Sequence, residues 1–284
     1  MTKMHRQKRA RKFTNALAAS LVASMAWIAA AQAADCPRKG TLGTSRVLSV
    51  DAATTPRVGL KSFPQTLPLE DHEVVLTFDD GPWPPTTPRV LAALASECVR
   101  ATFFLIGKPA SEHPDLVRRI AAEGHTIGHH TWLHRSLLQI PPGETTEEID
   151  RGIAADEMAL HGVATTTPST PFFRFPGFEM TPATLDLLQS RGIVVFGADL
   201  WASDWNPMTP EQELKLITDR LKIARKGIIL FHDPKAQTAA MLPTFLRYLR
   251  DNDYRVVHVV PASSGVGRVA QPRNHLEKSD NSVN

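Results

Sequence analysis

The sequence predicts an α/β domain built on a parallel sheet, most simply closed as a barrel. Seven short segments rich in β-branched and aromatic residues alternate with six helical patterns along the chain. Such alternation is typical of parallel sheets, whose strands are joined by crossover helices. The length of 284 residues suits one domain of this kind. Periodicity does not show whether a sheet closes, so an open doubly wound sheet is the alternative.

The predicted strands are short apolar runs bounded by polar or turn-forming residues, at 74–78, 101–106, 126–129, 172–175, 193–198, 228–231 and 255–259. The predicted helices between them lie at 88–97, 114–123, 144–160, 181–191, 210–226 and 241–251. Thr181 followed by Pro182 marks a helix start, and Gly124, Gly192 and Gly227 mark helix ends.

The first 33 residues predict a signal peptide. Six basic residues precede the apolar stretch 16–31, and Ala31-Gln32-Ala33 fits a small-residue cleavage site. An uncleaved membrane anchor is the alternative, which Ser20 and Ser24 disfavour because they interrupt a short apolar stretch. The mature chain is therefore expected to be secreted or periplasmic, without stable membrane insertion. An export signal does not name the final compartment.

The remaining chain divides into three predicted parts. Residues 34–70 are expected to form an irregular N-terminal extension, 71–264 the folded domain, and 265–284 a polar, disordered tail. Removal of the signal leaves 26 Lys and Arg against 29 Asp and Glu, a net charge of −3. The mature chain has no basic patch that would indicate nucleic acid as a partner. The sequence makes no prediction of the oligomeric state.

The two cysteines, Cys36 and Cys98, belong to a chain expected in an oxidising compartment. A disulfide between them would close a long loop and stabilise the fold by about 4 kcal/mol in the chain-entropy model. Two unpaired thiols, with Cys98 buried in a helix, are the alternative.

Asp79 and Asp80 form the first chemical signal. They follow the apolar segment 74–78, and Gly81 with Pro82 turns the chain directly after them. Two carboxylates at the end of a buried strand are costly unless something charged compensates them. In parallel sheets the carboxyl ends of the strands are where chemistry is usually placed.

His130 and His134 form the second signal. Four residues apart, they would lie on one face of a helical turn, a spacing that suits two ligands on one divalent metal. With a carboxylate from a neighbouring strand they would form a site with open positions. Such a site serves either zinc-dependent hydrolysis or a ferrous oxygenase, and export disfavours the second.

These runs resemble a known family, the NodB-type polysaccharide deacetylases of carbohydrate esterase family 4. Five motifs match in order, at 77–82 (TFDDGP), 130–134 (HTWLH), 174–177 (RFPG), 199–205 (DLWASDW) and 230–232 (LFH). The resemblance covers roughly residues 72–262. It implies a distorted (β/α)7-type barrel in a single NodB homology domain, within the predicted folded part 71–264.

The resemblance implies roles for the motif residues in metal binding and proton transfer. Asp80, His130 and His134 would hold a divalent metal, expected to be zinc, with cobalt as an alternative. Asp79 would act as general base, paired with Arg174. His232 would act as general acid, and Asp204 would pair with it and raise its pKa.

Three further residues would form the acetyl site. Leu230 and Trp205 would surround the acetyl methyl, and the Gly177 N–H would help to stabilise the oxyanion. Gly177 stands where many relatives carry an aromatic residue, which leaves the shape of this pocket open. His125 and His129, beside the third predicted strand, are expected to be structural.

The resemblance implies a metal-dependent hydrolase that removes acetyl groups from N-acetylated sugars of a polysaccharide, such as peptidoglycan or a chitin-like polymer. An esterase acting on O-acetyl groups of a polymer such as xylan is one alternative. A carbohydrate-binding protein on an inactive scaffold is another, although no motif residue of the base, the acid or the metal ligands is missing.

Overall fold

The computed structural model describes residues 38–262, which lie in one compact unit. The predicted signal peptide 1–33 and the predicted tail 265–284 lie outside these residues. Cys98 follows a helix in a half-buried turn instead of lying in the helix, and it is disulfide-bonded. Cys36, the only other cysteine of the chain, lies outside the described residues.

The described residues form ten β-strands: β1 Thr44–Val50, β2 Arg57–Val58, β3 Glu73–Asp79, β4 Thr102–Leu105, β5 Thr126–His129, β6 Phe172–Phe173, β7 Val194–Phe196, β8 Leu200–Trp201, β9 Gly227–His232 and β10 Arg255–Pro261. The same part of the chain contains seven α-helices: α1 Thr86–Ser96, α2 Gly107–Glu112, α3 Pro114–Ala122, α4 Pro142–His161, α5 Pro182–Ser190, α6 Pro210–Ala224 and α7 Ala236–Asp251. A 3-10 turn spans Pro176–Phe178.

All strand pairs in this sheet are parallel, and β3 lies at its centre. One edge of β3 pairs with β9 along its length. The other edge pairs with β10 at its start and with β4 at its end. From β4 the ladder continues through β5, β6 and β7, and from β9 it continues to β8. The predicted single α/β domain with a parallel sheet is confirmed.

The ring of hydrogen-bonded strands is not closed. β7 and β8 are consecutive in the chain and are joined covalently through residues 197–199, but they do not pair with each other. The free edge of β7 pairs instead with β2, and the Gly197 N–H extends this contact to the Val58 carbonyl at 2.6 Å. The sheet is therefore a distorted barrel that is interrupted where β2 inserts.

The prediction that residues 34–70 are irregular is wrong for their described part. β1 pairs in parallel with β10 from Thr44 to Val50, and β2 pairs with β7. An ion pair also joins β1 to β3: Arg46 Nη2 lies 2.6 Å from Glu73 Oε2. This segment thus contributes strands to the sheet, while the domain boundary at residue 71 stays a prediction.

The strand that ends at Asp79 is rigidly packed. Every residue of β3 is buried, and the Phe78 ring stacks between Phe103 at 5.1 Å and Phe231 at 5.6 Å. Fully burying one such side chain contributes about 1.5–3 kcal/mol. The core therefore fixes the carboxyl end of the central strand, at the edge of the sheet where β5 and β9 also end.

No helix of residues 38–262 is long and apolar enough to span a membrane.

Candidate active site

The turn after β3 sends two adjacent carboxylates in different directions. Asp79 is the last residue of the strand and is buried, whereas Asp80 adopts a left-handed conformation with φ of 76°. Only glycine fits at the following position, Gly81, because a Cβ atom there would overlap the carboxylate of Asp233. As a result Asp79 faces Arg174, and Asp80 faces two histidines.

Asp80, His130 and His134 form a cluster of three ligand groups. The Asp80 Oδ1 atom lies 3.5 Å from His130 Nε2 and 3.4 Å from His134 Nε2, and the three ligand atoms all lie within 4.8 Å of one another. The prediction of a helical turn is wrong: residues 130–134 form a loop, with left-handed Thr131 and His134. The loop nevertheless brings the two imidazoles together.

The cluster fits a divalent cation. Asp80 Oδ1 is buried and has no hydrogen-bond donor within the described part of the chain. The His130 Nδ1–H donates to the Arg174 carbonyl at 2.6 Å, so Nε2 is the nitrogen directed at the cluster and available to a cation. Burial opposes ionisation of Asp80, but the neighbouring His130, His232 and His134 hold its pKa below the usual value. Two imidazoles and one carboxylate form a ligand set typical of catalytic zinc.

Arg174 fixes the carboxylate of Asp79. Its guanidinium is completely buried and donates from Nη1 to Asp79 Oδ1 at 2.7 Å and to Thr77 Oγ1 at 2.8 Å. Nη2 donates to the Gly197 carbonyl at 2.7 Å, and the group stacks on the Phe104 ring at 4.3 Å. Burial lowers the pKa of Arg174, and the negative charge of Asp79 partly offsets this effect. The guanidinium group of arginine nevertheless stays protonated in proteins. Asp79 therefore has a permanent cationic partner.

His232 and Asp204 form a second charged pair. His232 Nδ1 lies 2.8 Å from Asp204 Oδ1, and the His232 backbone N–H donates to Asp204 Oδ2 at 2.7 Å. Burial alone would lower the pKa of His232, but the hydrogen bond and the charge of Asp204 outweigh burial and raise it to about 9. The free Nε2 faces the cluster, 4.0 Å from Asp80 Oδ2. With this pKa the imidazole is charged at neutral pH.

These groups meet at one cavity of about 380 Å³. Eight of the residues predicted from the motifs line it, namely Asp79, Asp80, His130, His134, Gly177, Trp205, Leu230 and His232. The other two, Arg174 and Asp204, are buried behind Asp79 and His232. Trp205 lies edge-on to the His232 ring at 6.0 Å and is 48% exposed.

Five lining residues were not predicted: Lys61, Phe175, Phe178, Trp201 and Lys235. Phe175 and Trp201 lie inside the third and fourth motifs. Phe178 and Lys235 lie one and three residues beyond predicted site residues, so proximity to the motifs was the available signal for these four. Phe178 adopts φ of 59° and places an aromatic side chain at the cavity beside Gly177, where the sequence left the pocket's shape open.

Lys61 had no such signal, because it lies in the segment expected to be irregular. Asp199 holds this part of the chain: its carboxylate accepts from the Leu60 N–H at 2.8 Å and from Thr66 Oγ1 at 2.7 Å. The Lys61 ammonium lies 4.9 Å from the centre of the Trp201 ring. The segment before β3 therefore contributes a cation to the cavity wall.

His125 and His129 take part in structural hydrogen bonds, as predicted. The His125 Nδ1 accepts from the Ala101 N–H at 3.1 Å, and the His129 Nδ1 lies 2.7 Å from Asp156 Oδ2. Neither imidazole lines the cavity.

Comparison with known proteins places the chain among enzymes of one kind. A family model described as polysaccharide deacetylase matches residues 67–196. A peptidoglycan-N-acetylglucosamine deacetylase of Bacillus cereus is 35% identical over 144 residues, which is 51% of this chain and 50% of that protein. A second protein of that description from the same organism is 30% identical over 232 residues, 78% of this chain and 82% of the relative. The chain thus spans half the length of the first of these two relatives.

A solved structure is also similar. A peptidoglycan deacetylase of Bdellovibrio bacteriovorus superposes with a TM-score of 0.69 at 28% sequence identity, covering 82% of this chain and 64% of that one.

Proposed function

The chain belongs to the polysaccharide deacetylase family, carbohydrate esterase family 4, and we propose that it is a metal-dependent hydrolase of N-acetylated sugars in a polysaccharide. One observation carries the proposal. A carboxylate with a buried cationic partner, Asp79 with Arg174, and an imidazolium with a buried anionic partner, His232 with Asp204, meet at a cavity that also holds a cluster fit for a cation.

Asp80, His130 and His134 are the residues that would hold the cation. A divalent ion bound there acts as a Lewis acid, which polarises a carbonyl and makes a water molecule more acidic. We propose zinc, because two imidazoles and a carboxylate suit it, with cobalt as a substitute.

Asp79 acts as the general base in the proposed reaction. The attacking water adds to the carbonyl carbon of the acetamide, and its proton passes to the Asp79 carboxylate. Arg174 Nη1 donates to Asp79 Oδ1 at 2.7 Å, and Thr77 Oγ1 accepts from the same nitrogen at 2.8 Å, which fixes the guanidinium that holds the carboxylate. Because this support is buried, Asp79 needs no reorganisation when the reaction begins.

His232 acts as the general acid. The bond between the carbonyl carbon and the nitrogen breaks, and the nitrogen takes the Nε2 proton of His232 as it leaves as an amine. The products are acetate and a free amino sugar, so one water is consumed for each amide hydrolysed. Asp204 binds Nδ1 and thereby keeps the proton-bearing Nε2 directed at the cavity.

Gly177, Leu230 and Trp205 form the acetyl site. The 3-10 turn leaves the Gly177 backbone in a left-handed conformation with φ of 58° at the cavity wall. Its N–H would donate to the developing oxyanion. Buried Leu230 and the edge of Trp205 offer an apolar surface for the methyl group, which restricts the site to a small acyl group.

Metal content tests the proposal. Purified mature protein is expected to contain, or to recruit from added zinc or cobalt, one divalent ion per chain, measured by elemental analysis and calorimetry. Protein that neither contains nor recruits such an ion would remove the basis of a metal-dependent hydrolase.

Loss of the His232 proton should set the alkaline limit of activity. Against the effect of burial, the hydrogen bond and charge of Asp204 raise the pKa of His232, so the protonated fraction, and with it kcat for an amide substrate, should fall as pH rises through that pKa. Replacing Asp204 with asparagine removes the charge that raises this pKa, so the alkaline limb should move to lower pH. The check is kcat between pH 6 and pH 10 for both proteins. An Asp204→Asn limb that stays at the wild-type position would show that another group sets it.

Two lysines favour a substrate that bears carboxylates. Lys61 and Lys235 line the cavity, and neither has a carboxylate within salt-bridge distance among residues 38–262. Peptidoglycan carries carboxylates on its peptide stems, whereas chitin is neutral. We therefore propose a strand of N-acetylglucosamine-containing peptidoglycan as the polymer.

The double substitution Lys61→Gln with Lys235→Gln should raise KM for peptidoglycan fragments with peptide stems by about 3- to 10-fold, since each exposed ion pair contributes little. The KM for neutral chitooligosaccharides should change less than about 2-fold. Steady-state kinetics on both substrates is the measurement. Lys215→Gln, on an exposed lysine that pairs with Asp219, is the matched control. Equal changes for both substrates would contradict the carboxylate preference.

Peptidoglycan lies outside the cytoplasmic membrane, so the proposed substrate requires export. We propose that the signal peptide predicted at residues 1–33 directs it. N-terminal sequencing of protein from the periplasm or the medium is expected to begin at Ala34, and an uncleaved N-terminus would contradict this step.

A further inference from the structure

Glu213 is a buried acidic residue for which the proposed reaction has no role. It lies in the first part of α6, and its side chain is completely buried. Its Oε1 atom lies 2.9 Å from Thr238 Oγ1, and its Oε2 atom has no hydrogen-bond partner among the described residues. The same Thr238 hydroxyl lies 2.8 Å from Asp204 Oδ2. Glu213 is therefore joined through one hydroxyl to the carboxylate that holds His232.

One hydroxyl between two carboxyl groups restricts where the protons lie. A threonine hydroxyl has one hydrogen to donate and accepts at its lone pairs. If Thr238 donates to one carboxyl group, the other contact is a hydrogen bond only when that second carboxyl group is protonated and donates to Thr238. If both carboxyl groups were ionised, Thr238 could donate to only one of them, and the other buried contact between its oxygen and a carboxylate oxygen would be repulsive. Both contacts are hydrogen bonds when one carboxyl group of the pair Glu213 and Asp204 is protonated.

The contacts assign this proton to Glu213. Asp204 receives the His232 Nδ1–H and the His232 backbone N–H in addition to Thr238, a set of donors that suits an anion. Glu213 has a single partner and one bare buried oxygen, which suits the neutral acid. Burial, and next the charge of Asp204, raise the pKa of Glu213 to about 7. The charged groups around it are Asp204 and His232.

We propose that Glu213 is a positioning residue, which in its protonated form donates to Thr238, so that Thr238 donates to Asp204 and holds it against His232. The order of donors is Glu213, Thr238, then Asp204, which accepts. Without the glutamic acid proton, the Thr238 hydroxyl is free to donate to a main-chain carbonyl of its own helix, as threonines in helices often do. The role in catalysis rests on the proposed function.

Two substitutions break the chain of hydrogen bonds in different places. Glu213→Leu removes the donor to Thr238, and Thr238→Val removes the donor to Asp204. Each is expected to lower kcat for an N-acetyl substrate by about 10-fold, the scale of one hydrogen bond to a charged group, with KM little changed. The double variant should lose no more than the more affected single variant, because both act on one bond. Activity on an activated aryl acetate should change less than 2-fold, since its leaving group needs no acid.

The conservative variant separates a proton donor from a charge. Glu213→Gln retains an N–H that donates to Thr238, so it should restore most of the kcat that Glu213→Leu loses. Glu211→Leu, at an exposed position of the same helix, is the control. The proposal fails if Glu213→Gln loses as much kcat as Glu213→Leu. It also fails if amide and aryl ester activities fall equally, or if neither Glu213→Leu nor Thr238→Val affects the amide reaction.

A second readout does not depend on turnover. A carboxyl group whose pKa is raised on folding favours the folded state at low pH and loses this contribution as pH rises from its ordinary value of 4.5 through about 7. The Tm of Glu213→Gln relative to wild type should therefore increase between pH 5 and pH 8. The same variant should lack one protonated-carboxyl band that infrared spectra of the wild type contain at pH 6.

The two readouts distinguish two kinds of failure. If the protein hydrolyses no acetylated sugar while the Tm difference rises with pH, the proposed function fails and the protonation of Glu213 stands. A Tm difference that does not rise between pH 5 and pH 8 shows that Glu213 is ionised throughout this range and overturns the inference, whatever the activity. Variants that do not fold are recognised by circular dichroism, and the Tm comparison then uses Glu213→Gln alone.

Discussion

Replacing Asp79 with asparagine is expected to lower kcat by about 10²- to 10⁴-fold, the range that a general base contributes. Asparagine has nearly the same shape, and its oxygen still accepts the hydrogen bond that Arg174 donates at 2.7 Å to Asp79 Oδ1. It has no basic oxygen to take a proton from water. The loss should therefore appear in the chemical step, while zinc affinity changes little, because Asp80 and the two histidines form the cluster.

The measurement combines initial rates with calorimetric titration of zinc into metal-free protein. Arg174 is completely buried, and in the variant no negative charge lies beside its guanidinium. Tm should therefore fall, and the assays should be run well below the Tm of the variant. Asp80→Asn is the matched comparison: it should lose zinc affinity as well as activity. An Asp79→Asn protein that turns over within 10-fold of wild type would contradict the assignment of the base.

Replacing His130 with alanine is expected to abolish both metal binding and turnover. His130 supplies a ligand nitrogen 3.5 Å from Asp80 Oδ1, and its Nδ1 is already bound to the Arg174 carbonyl. Loss of an outer partner of a ligand costs about 10- to 100-fold in affinity, so loss of the ligand should cost more. Zinc titration of the metal-free variant by calorimetry is the measurement.

The adjacent His129 is the control for this substitution. It is equally buried, but it contacts Asp156 and does not line the cavity. Asparagine at this position keeps a side-chain N–H near the place of the imidazole Nδ1. His129→Asn should therefore retain zinc affinity within about 10-fold. Zinc affinity, not Tm, is the readout of this control, since the substitution alters a buried hydrogen bond. Equal zinc affinity in His130→Ala and wild type would show that the ion lies elsewhere.

The positions of the ten motif residues could be predicted because they follow from one local feature repeated along the chain. Each lies at or just beyond the end of an apolar segment, and parallel strands bring their carboxyl ends to one edge of a sheet. Asp79 and His232 illustrate this, since their backbones are direct neighbours in the pairing of β3 with β9. Their chemical roles came from the family resemblance, and these roles are proposals that the variants above test.

The parts that could not be predicted depend on contacts distant in sequence or on local backbone conformation. β1 has polar residues and a half-exposed pattern, and its partner β10 lies about 200 residues later. The left-handed conformations of Thr131 and His134 replace the expected helical turn, although neither residue is glycine. Glu213 and Thr238 lie 25 residues apart on two helices, and no motif joins them.

Simultaneous measurement of acetate and free amine tests the central claim most directly. Purified protein is incubated with N-acetylated peptidoglycan fragments and, separately, with chitooligosaccharides and acetylated xylan. We expect one new amine for each acetate released from the N-acetylated substrates, loss of both products with a chelator, and recovery when zinc is added. Acetate without amine would identify an O-acetyl esterase. Release that a chelator does not affect, or no release from any N-acetylated polymer, would contradict a metal-dependent N-deacetylase.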